Sequence, residues 1–428
     1  LPPLFADLRS VASQVVSGTS SVSVAMRLLI RCIAGLEPLL EKEIRTILGR
    51  GRALVTERPF PCAVTVSGPL CARDVYKLHY TSRLATHIWR EIGSSRLDRG
   101  VTEDALQNFL NEIEYPSSVR GSRLAVFARN PGRRSDFYFT ETLLDGWRGM
   151  LAARHNARLE WDDYQVRLLL LAEKGNMFRV YAGDGDRSLH IRGLRKKQGV
   201  APMNETLAAA MVSMASDTTA DRPVIDPFCG SGTIILEYLM RLMNVPAQYF
   251  NPAYRDSSTR ELLPPSNGFR TCTVGEEFDE EEWRHTIEEE DSKIQLGSTG
   301  PLIAGFDKDS RMVDYTRSNL EPLTRLCRMD SVPVQAFDWG KLSRLYGGAP
   351  VTMITNPPFG LRLSRSQSLI RSIGEFLRAD GSDGVIAVAS ADDVAALGCH
   401  PHGDDVTKVK VANVDTWLCR VFSESVSV

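Results

Sequence analysis

No stretch of this 428-residue chain approaches the roughly 20 consecutive apolar residues needed to cross a bilayer, so no membrane-spanning helix is expected. Its eight cysteines (32, 62, 71, 229, 272, 327, 399 and 419) never fall as a C-x-x-C pair. Neither a zinc site nor a disulfide framework is indicated, and a reducing compartment is expected. Short-period repeats are missing too, which excludes solenoids and propellers. An overall charge of one sign is absent, since the formal net charge is −2. That balance hides an asymmetry: residues 1–200 carry +9 and residues 201–428 carry −11. A basic front half suggests an anionic partner such as nucleic acid.

What is present reads as several α/β units. Residues 1–25, Ser-rich with one acid and one Arg, read as a disordered or targeting extension. Cytoplasmic residence is the expectation, or an organelle such as the mitochondrion if that extension is a transit peptide. From Met26 to about residue 95, strands and helices alternate β-α-β-α-β, compatible with a ferredoxin-like module. In its first helix Leu36, Leu39, Leu40, Ile44 and Leu48 fall at helical spacing. Residues 96–190 read as a second α/β module, with helices near 102–113 and 138–154 and strands near 123–130 and 164–185. From 191 to 428 the texture becomes strand, loop, helix, repeated. That pattern specifies a Rossmann-like, doubly wound and mostly parallel sheet, closed by a terminal hairpin. An insertion at 244–300 interrupts it. Within this insertion, "GEEFDEEEWRHTIEEED" (275–291) holds ten acids and reads as a solvated helix or loop.

Four loops in this last unit carry chemistry. In "VIDPFCGSGTIILE" (224–237) a buried strand ends at Asp226, Gly230 and Gly232 permit a tight turn, and a helix begins near Thr233. Such a turn lets backbone N–H groups approach a ligand. It matches neither G-x-G-x-x-G nor a phosphate loop. In "LIAGFDKDS", Asp307 suits a ribose hydroxyl and Asp309 suits a helix cap. Asp338, in "QAFDWG", can accept from an adenine amino group, or can serve as ordinary turn chemistry. The fourth loop is "MITNPPFG" (353–360). Prolines freeze its backbone, so the Asn356 side-chain oxygen and the Pro357 carbonyl are held as two acceptors for the hydrogens of a ring amino group. Phe359 offers a face for stacking a base.

Taken in order, D-P-F-C-G-S-G-T, F-D-K-D, F-D-W and N-P-P-F-G resemble the motifs of class I S-adenosylmethionine-dependent amino-methyltransferases. The chain further resembles the THUMP-containing RNA guanine-N2 methyltransferases, most of all the bacterial large-subunit rRNA enzymes. "GLEPLLEKEI", "SLHIRGLRKKQGVAPMNETLAAAM", the acidic insert and "ANVDTWLCRVF" carry that likeness. The resemblance implies S-adenosyl-L-methionine as cofactor, with no metal. Asp226, Cys229, Gly230 and Gly232 would line its methionine end, and Asp307 and Asp338 its ribose and adenine. The segment around Asn204 and Thr206 would close over it, and Asn356, Pro357 and Phe359 would hold the guanine. Residues 96–190 would be a THUMP domain that holds structured RNA, rRNA or tRNA, together with the ferredoxin-like module. Phe359 stands where Tyr is usual, and stacking survives that change. A non-catalytic RNA-binding or assembly factor that kept the fold is the alternative from another class.

Overall fold

In the computed structural model the described residues are 24–97, 101–130, 139–184, 188–215, 222–264, 269–270, 278–297, 303–345, 350–358, 365–379, 381–411 and 414–422. Most of the expected N-terminal extension (residues 1–23) and the expected stacking residue Phe359 lie outside them.

The front half is one sheet. Its elements are β1 (Val24–Arg31), α1 (Glu37–Leu48), β2 (Val55–Glu57), β3 (Ala63–Leu70), α2 (Ala72–Thr81), β4 (His87–Arg96), α3 (Glu103–Glu112), β5 (Arg123–Arg129), α4 (Glu141–His155), β6 (Arg158–Leu159), β7 (Val166–Glu173) and β8 (Met177–Asp184). The eight strands run in the order β2-β3-β1-β4-β8-β7-β5-β6. The first strand begins at Val24, two residues inside the span read as an extension. The sheet also crosses the expected 95/96 boundary unbroken, because β4 pairs antiparallel with β8 from Trp89↔Gly183 to Arg96↔Met177. Each module would otherwise expose an open strand edge there, with unpaired N–H and C=O groups, and pairing the two edges removes that cost.

The alternation of each strand sorts its side chains. Leu28 and Ile30 pack with Leu40 and Ile44 of α1 in one buried cluster. Val166, Leu168, Leu170, Phe178 and Val180 pack with Leu106 of α3 and Trp147 of α4 in another. The helices therefore cover one face. At about 1.5–3 kcal/mol for each buried Leu, Ile or Val side chain, this cover is what holds the half together.

The rear half comprises α5 (Glu205–Ala215), β9 (Val224–Asp226), α6 (Thr233–Leu242), α7 (Glu280–Asp291), β10 (Ile303–Asp307), α8 (Ser310–Cys327), β11 (Val334–Ala336), α9 (Trp339–Leu345), β12 (Thr352–Thr355), α10 (Arg365–Ala379), β13 (Asp383–Val388), α11 (Ala391–Ala396), β14 (Val406–Val411) and β15 (Val414–Val421). Its seven strands run β11-β10-β9-β12-β13-β15-β14. The first five pair parallel, and β15 and β14 add antiparallel as the expected hairpin. The expected Rossmann-like class is found. After β9 the chain builds outward to β10 and β11, then crosses back to lay β12 on the other side of β9. The order therefore reverses at β9/β12, where open α/β sheets bind their ligands.

The acidic insert is more than a solvated run. α7 is capped by Asp279, whose side chain accepts from Glu282 N, and it buries Trp283 and Ile287 against Tyr76 and Tyr80 of α2. Tyr80 Oη donates to Asp291 Oδ1 at 2.7 Å, and Arg255 also pairs with Asp291. The insert thereby bridges the two halves. A second bridge centres on a buried acid: Glu237 of α6 accepts from buried Arg192 Nε at 3.1 Å and from half-buried Arg83 Nη1 at 3.4 Å.

Candidate active site

The site is built where β9 and β12 end side by side. Asp226, the last residue of β9, is 1% exposed. Its Oδ1 accepts from the Phe228 N–H at 3.2 Å and from the Thr355 hydroxyl at 2.6 Å. Thr355, fully buried, is the last residue of β12 and the neighbour of Asn356. One carboxylate oxygen thus ties the root of the glycine turn to the root of the N-P-P loop. Burial pushes the Asp226 carboxyl up to about 7, against the lowering effect of those two donors.

The glycine turn is held from three sides. Cys229 N donates to Phe306 O at 2.9 Å, and Gly232 N returns to Cys229 O at 2.8 Å. Thr316 Oγ1 donates to Gly230 O at 2.7 Å, and Asn319 Nδ2 to Ser231 O at 3.0 Å. Gly230 and Gly232 both take positive φ, +52° and +87°, which a Cβ disfavours. They differ in surroundings. A Cβ at Gly232 would lie 2.7 Å from Thr316 Cγ2, whereas one at Gly230 would meet nothing within 4 Å. Packing therefore requires glycine at 232, whereas open space lies beside Gly230. The Cys229 side chain is buried, and burial holds its thiol well above the ordinary range, so it packs and does not act as a thiolate.

Asp307, at the end of β10, accepts from Gly230 N at 3.0 Å through Oδ2 and from Asp309 N at 2.9 Å through Oδ1. Each carboxylate oxygen retains a second lone pair for a hydroxyl. Asp309 caps α8, its side chain accepting from Arg311 N. Asp338 is exposed and accepts from Gly340 N at 2.9 Å, the turn alternative for that residue, with a carboxylate still open to solvent. Asn204 caps α5, accepting from Thr206 N at 2.9 Å. Thr206 is fully buried, yet its Oγ1 has no hydrogen-bond partner among the described residues. An orphaned hydroxyl of this kind suits a polar ligand group.

On the N-P-P loop Asn356 is half-buried, Pro357 buried and Pro358 exposed. No hydrogen bond engages the Asn356 side chain among the described residues, so its amide is available to a ligand. The sequence reading missed Thr355, Thr316 and Asn319. Thr316 and Asn319 stand three apart on α8 and so share a face; Asn319 also accepts the Lys196 and Lys197 N–H groups at 3.1 and 3.0 Å.

Residues 192–416 match the family model described as "RMKL-like, methyltransferase domain". The chain belongs to that family. Among curated proteins, the ribosomal RNA large subunit methyltransferase K/L of Aliivibrio fischeri (strain MJ11) is 32% identical over 219 residues. That alignment takes in 50% of this chain but 28% of the relative, so the chain spans only part of the relative's length. Among solved structures, SMU.472, solved complexed with SAH, superposes with a TM-score of 0.66 at 20% identity, over 94% of this chain and 99% of the other. TrmN from Thermus thermophilus gives a TM-score of 0.63 at 18% identity, over 93% and 99%. At such identities these two likenesses establish a shared fold across both halves, including the front sheet.

Proposed function

We propose that this protein is an S-adenosylmethionine-dependent RNA methyltransferase that modifies the exocyclic N2 of a guanine in structured RNA, with large-subunit rRNA as the substrate class. The cofactor would supply an activated methyl group. The residues suit it: Gly230 has open space beside it, Thr206 Oγ1 has no partner among the described residues, and Asp307 and Asp338, which follow β10 and β11, retain acceptor capacity. The SAH complex of a protein of this fold supports the same cofactor. The K/L-type relatives support rRNA, and the front α/β half, read as ferredoxin-like plus THUMP modules, supports RNA as the partner.

One observation carries the reading: at the strand-order switch Asn356 presents an amide that no hydrogen bond engages among the described residues, tethered through Thr355 to the base of the glycine turn. A ring amino group is a poor nucleophile because its lone pair is delocalised. Two acceptors, Asn356 Oδ1 and the Pro357 carbonyl, would take its hydrogens and aim the lone pair at the methyl group. Phe359 would stack the flipped base. A tRNA guanine would use the same groups.

The test is methylation of total RNA by the purified protein with labelled cofactor, followed by mapping of the modified nucleotide. Asn356→Ala is expected to abolish transfer while calorimetry still detects cofactor binding. Full activity in that variant would overturn the mechanism, and a mapped base other than guanine would overturn the substrate. Absence of any cofactor binding to the wild type would favour a non-catalytic RNA-binding factor.

A further inference from the structure

We propose that Arg31 and Arg129, with Arg167 between them, form a phosphate-binding row on the helix-free face of the front sheet that grips the backbone of the RNA substrate. The proposal rests on the reading of the substrate as RNA.

The face follows from strand alternation. With Leu28 and Ile30 under the helices, Arg27, Leu29 and Arg31 of β1 point the other way. So do His87, Trp89 and Glu91 of β4, Arg167, Leu169, Leu171 and Glu173 of β7, and Arg179 and Tyr181 of β8. Leu29, Trp89, Leu169, Leu171 and Tyr181 are buried in a cluster with Phe60 and Ala63, and that cluster contains no helix residue among the described residues. Arginine side chains lie over these apolar residues, Arg31 and Arg167 half-buried and Arg129 exposed.

The arginines divide by partner. Arg27 pairs with Glu57 at 2.6 Å, and Arg179 with Glu91 at 2.7 Å and Glu173 at 2.9 Å. That part of the face is neutralised from within. Arg31 and Arg129 have no carboxylate within 4.0 Å among the described residues. Each is held by an aromatic ring: the Arg31 guanidinium lies 5.9 Å from the Trp89 centroid, and that of Arg129 lies 4.8 Å from Phe60. Arg167 lies 5.6 Å from the same Trp89 and 4.9 Å from Phe127. His87 stands beside this group, and burial first, then the Arg167 and Arg31 charges, hold it down to about 3. It therefore adds no charge at neutral pH.

Arg31 Nη2 donates to Cys62 Sγ at 3.3 Å and Arg167 Nη2 to the Tyr164 hydroxyl, with both Nε atoms buried, whereas Arg129 is exposed. A guanidinium laid on a ring keeps its charge, and its remaining N–H groups can donate to a phosphate. A set of one sign fits a sugar-phosphate backbone. The location fits as well. β1 runs from Arg31 directly to Ala34, whose carbonyl accepts from Lys410 N of β14 at 3.0 Å. The row thus begins where the front sheet meets the methyltransferase sheet.

The experiment is fluorescence anisotropy of full-length protein with a fluorescein-labelled oligouridylate across a salt series. Far-UV circular dichroism and thermal unfolding confirm that each variant is folded. Each lost phosphate contact should lower the slope of log K against log salt by about 0.7, so Arg31→Gln with Arg129→Gln should lower it by about 1.4. Arg31→Lys with Arg129→Lys should keep most of the slope. Arg123→Gln, at a residue of β5 that pairs with Asp163, should leave it unchanged. An unchanged slope in the folded Gln double variant overturns the proposal. So does an equal drop in Arg123→Gln, or a loss confined to binding of polyglutamate, which would indicate an acidic protein partner instead. The two readings fail separately. Methyl transfer to RNA by the wild type with an unaltered salt slope in the double variant defeats only the row. A lowered slope with no methyl transfer to any RNA defeats only the enzyme.

Discussion

Replacing Thr355 with Val isolates the link between the two loops. The side chain keeps its shape and loses the hydroxyl that donates to Asp226 Oδ1 at 2.6 Å inside a fully buried site. A hydrogen bond to a charged group contributes about 1.5–3 kcal/mol, against about 1 kcal/mol to a neutral one. The cost therefore depends on whether Asp226 is ionised. In the wild type its carboxyl sits at about 7 when folded, and near 3.9 in an unfolded chain. The unfolded chain thus releases its proton first as pH rises. Asp226 lowers stability progressively from about pH 4 to about pH 7, and the loss is complete above that window. Without the Thr355 donor the folded value should climb by about 1.5 units, since 1.36 kcal/mol corresponds to one unit. The expected destabilisation is then about 1 kcal/mol at acid pH and about 3 kcal/mol once the carboxylate is ionised in both proteins. Urea unfolding of wild type and Thr355→Val across pH gives the difference curve. Repeating it on an Asp226→Asn background removes the titration of Asp226 and leaves that of every other group, so comparing the two backgrounds isolates the pair. A difference that is flat with pH, or that survives unchanged on the Asn background, refutes the coupling.

The two glycines of the turn should separate structure from binding. Gly232→Ala meets Thr316 at 2.7 Å with φ at +87°, and should cost more than the ~1–2 kcal/mol of a left-handed residue alone, read by thermal unfolding. Gly230→Ala meets no atom, so it should cost only about that ~1–2 kcal/mol while calorimetry shows a loss of cofactor affinity. Glu237→Leu leaves buried Arg192 and half-buried Arg83 without their shared carboxylate, and should destabilise by about 3–5 kcal/mol in urea. Near-neutral behaviour would show that carbonyls such as Val245 O, which accepts from Arg83 at 2.5 Å, suffice for the guanidiniums.

Much of the fold was legible because the signals are local. The period of Leu36, Leu40, Ile44 and Leu48 marks a helix whatever surrounds it, and α1 spans Glu37–Leu48. Repetition of strand, loop and helix after residue 191 fixes a parallel sheet, and the five parallel strands are there. The continuous front sheet was not legible. Nothing in "HIWREIGSSR" or "MFRVYAGD" states that these strands pair with each other across more than 80 residues of chain. The burial of α7 was hidden as well. Ten acids dominate the composition of residues 275–291, while Trp283 and Ile287, four apart on one helical face, decide where the helix sits.

The candidate site divides along the same line. Glycines, prolines and strand-end acids declare themselves, because each does something to the backbone that few other residues can do. Supporting residues do not. Thr316 and Asn319 look like ordinary polar positions of an amphipathic helix, and Thr355 like a β-branched strand residue. Their roles exist only after β9, β10 and β12 lie side by side and bring residues more than 80 positions apart within hydrogen-bond distance. Asp226 makes the same point from the other direction. Its place at the end of the first strand identifies it as part of the site, and its burial beside Thr355 gives it a different duty from direct ligand contact through Oδ1. That oxygen holds the two loops together, and Asn356 follows directly on the tether, its amide without a hydrogen bond among the described residues.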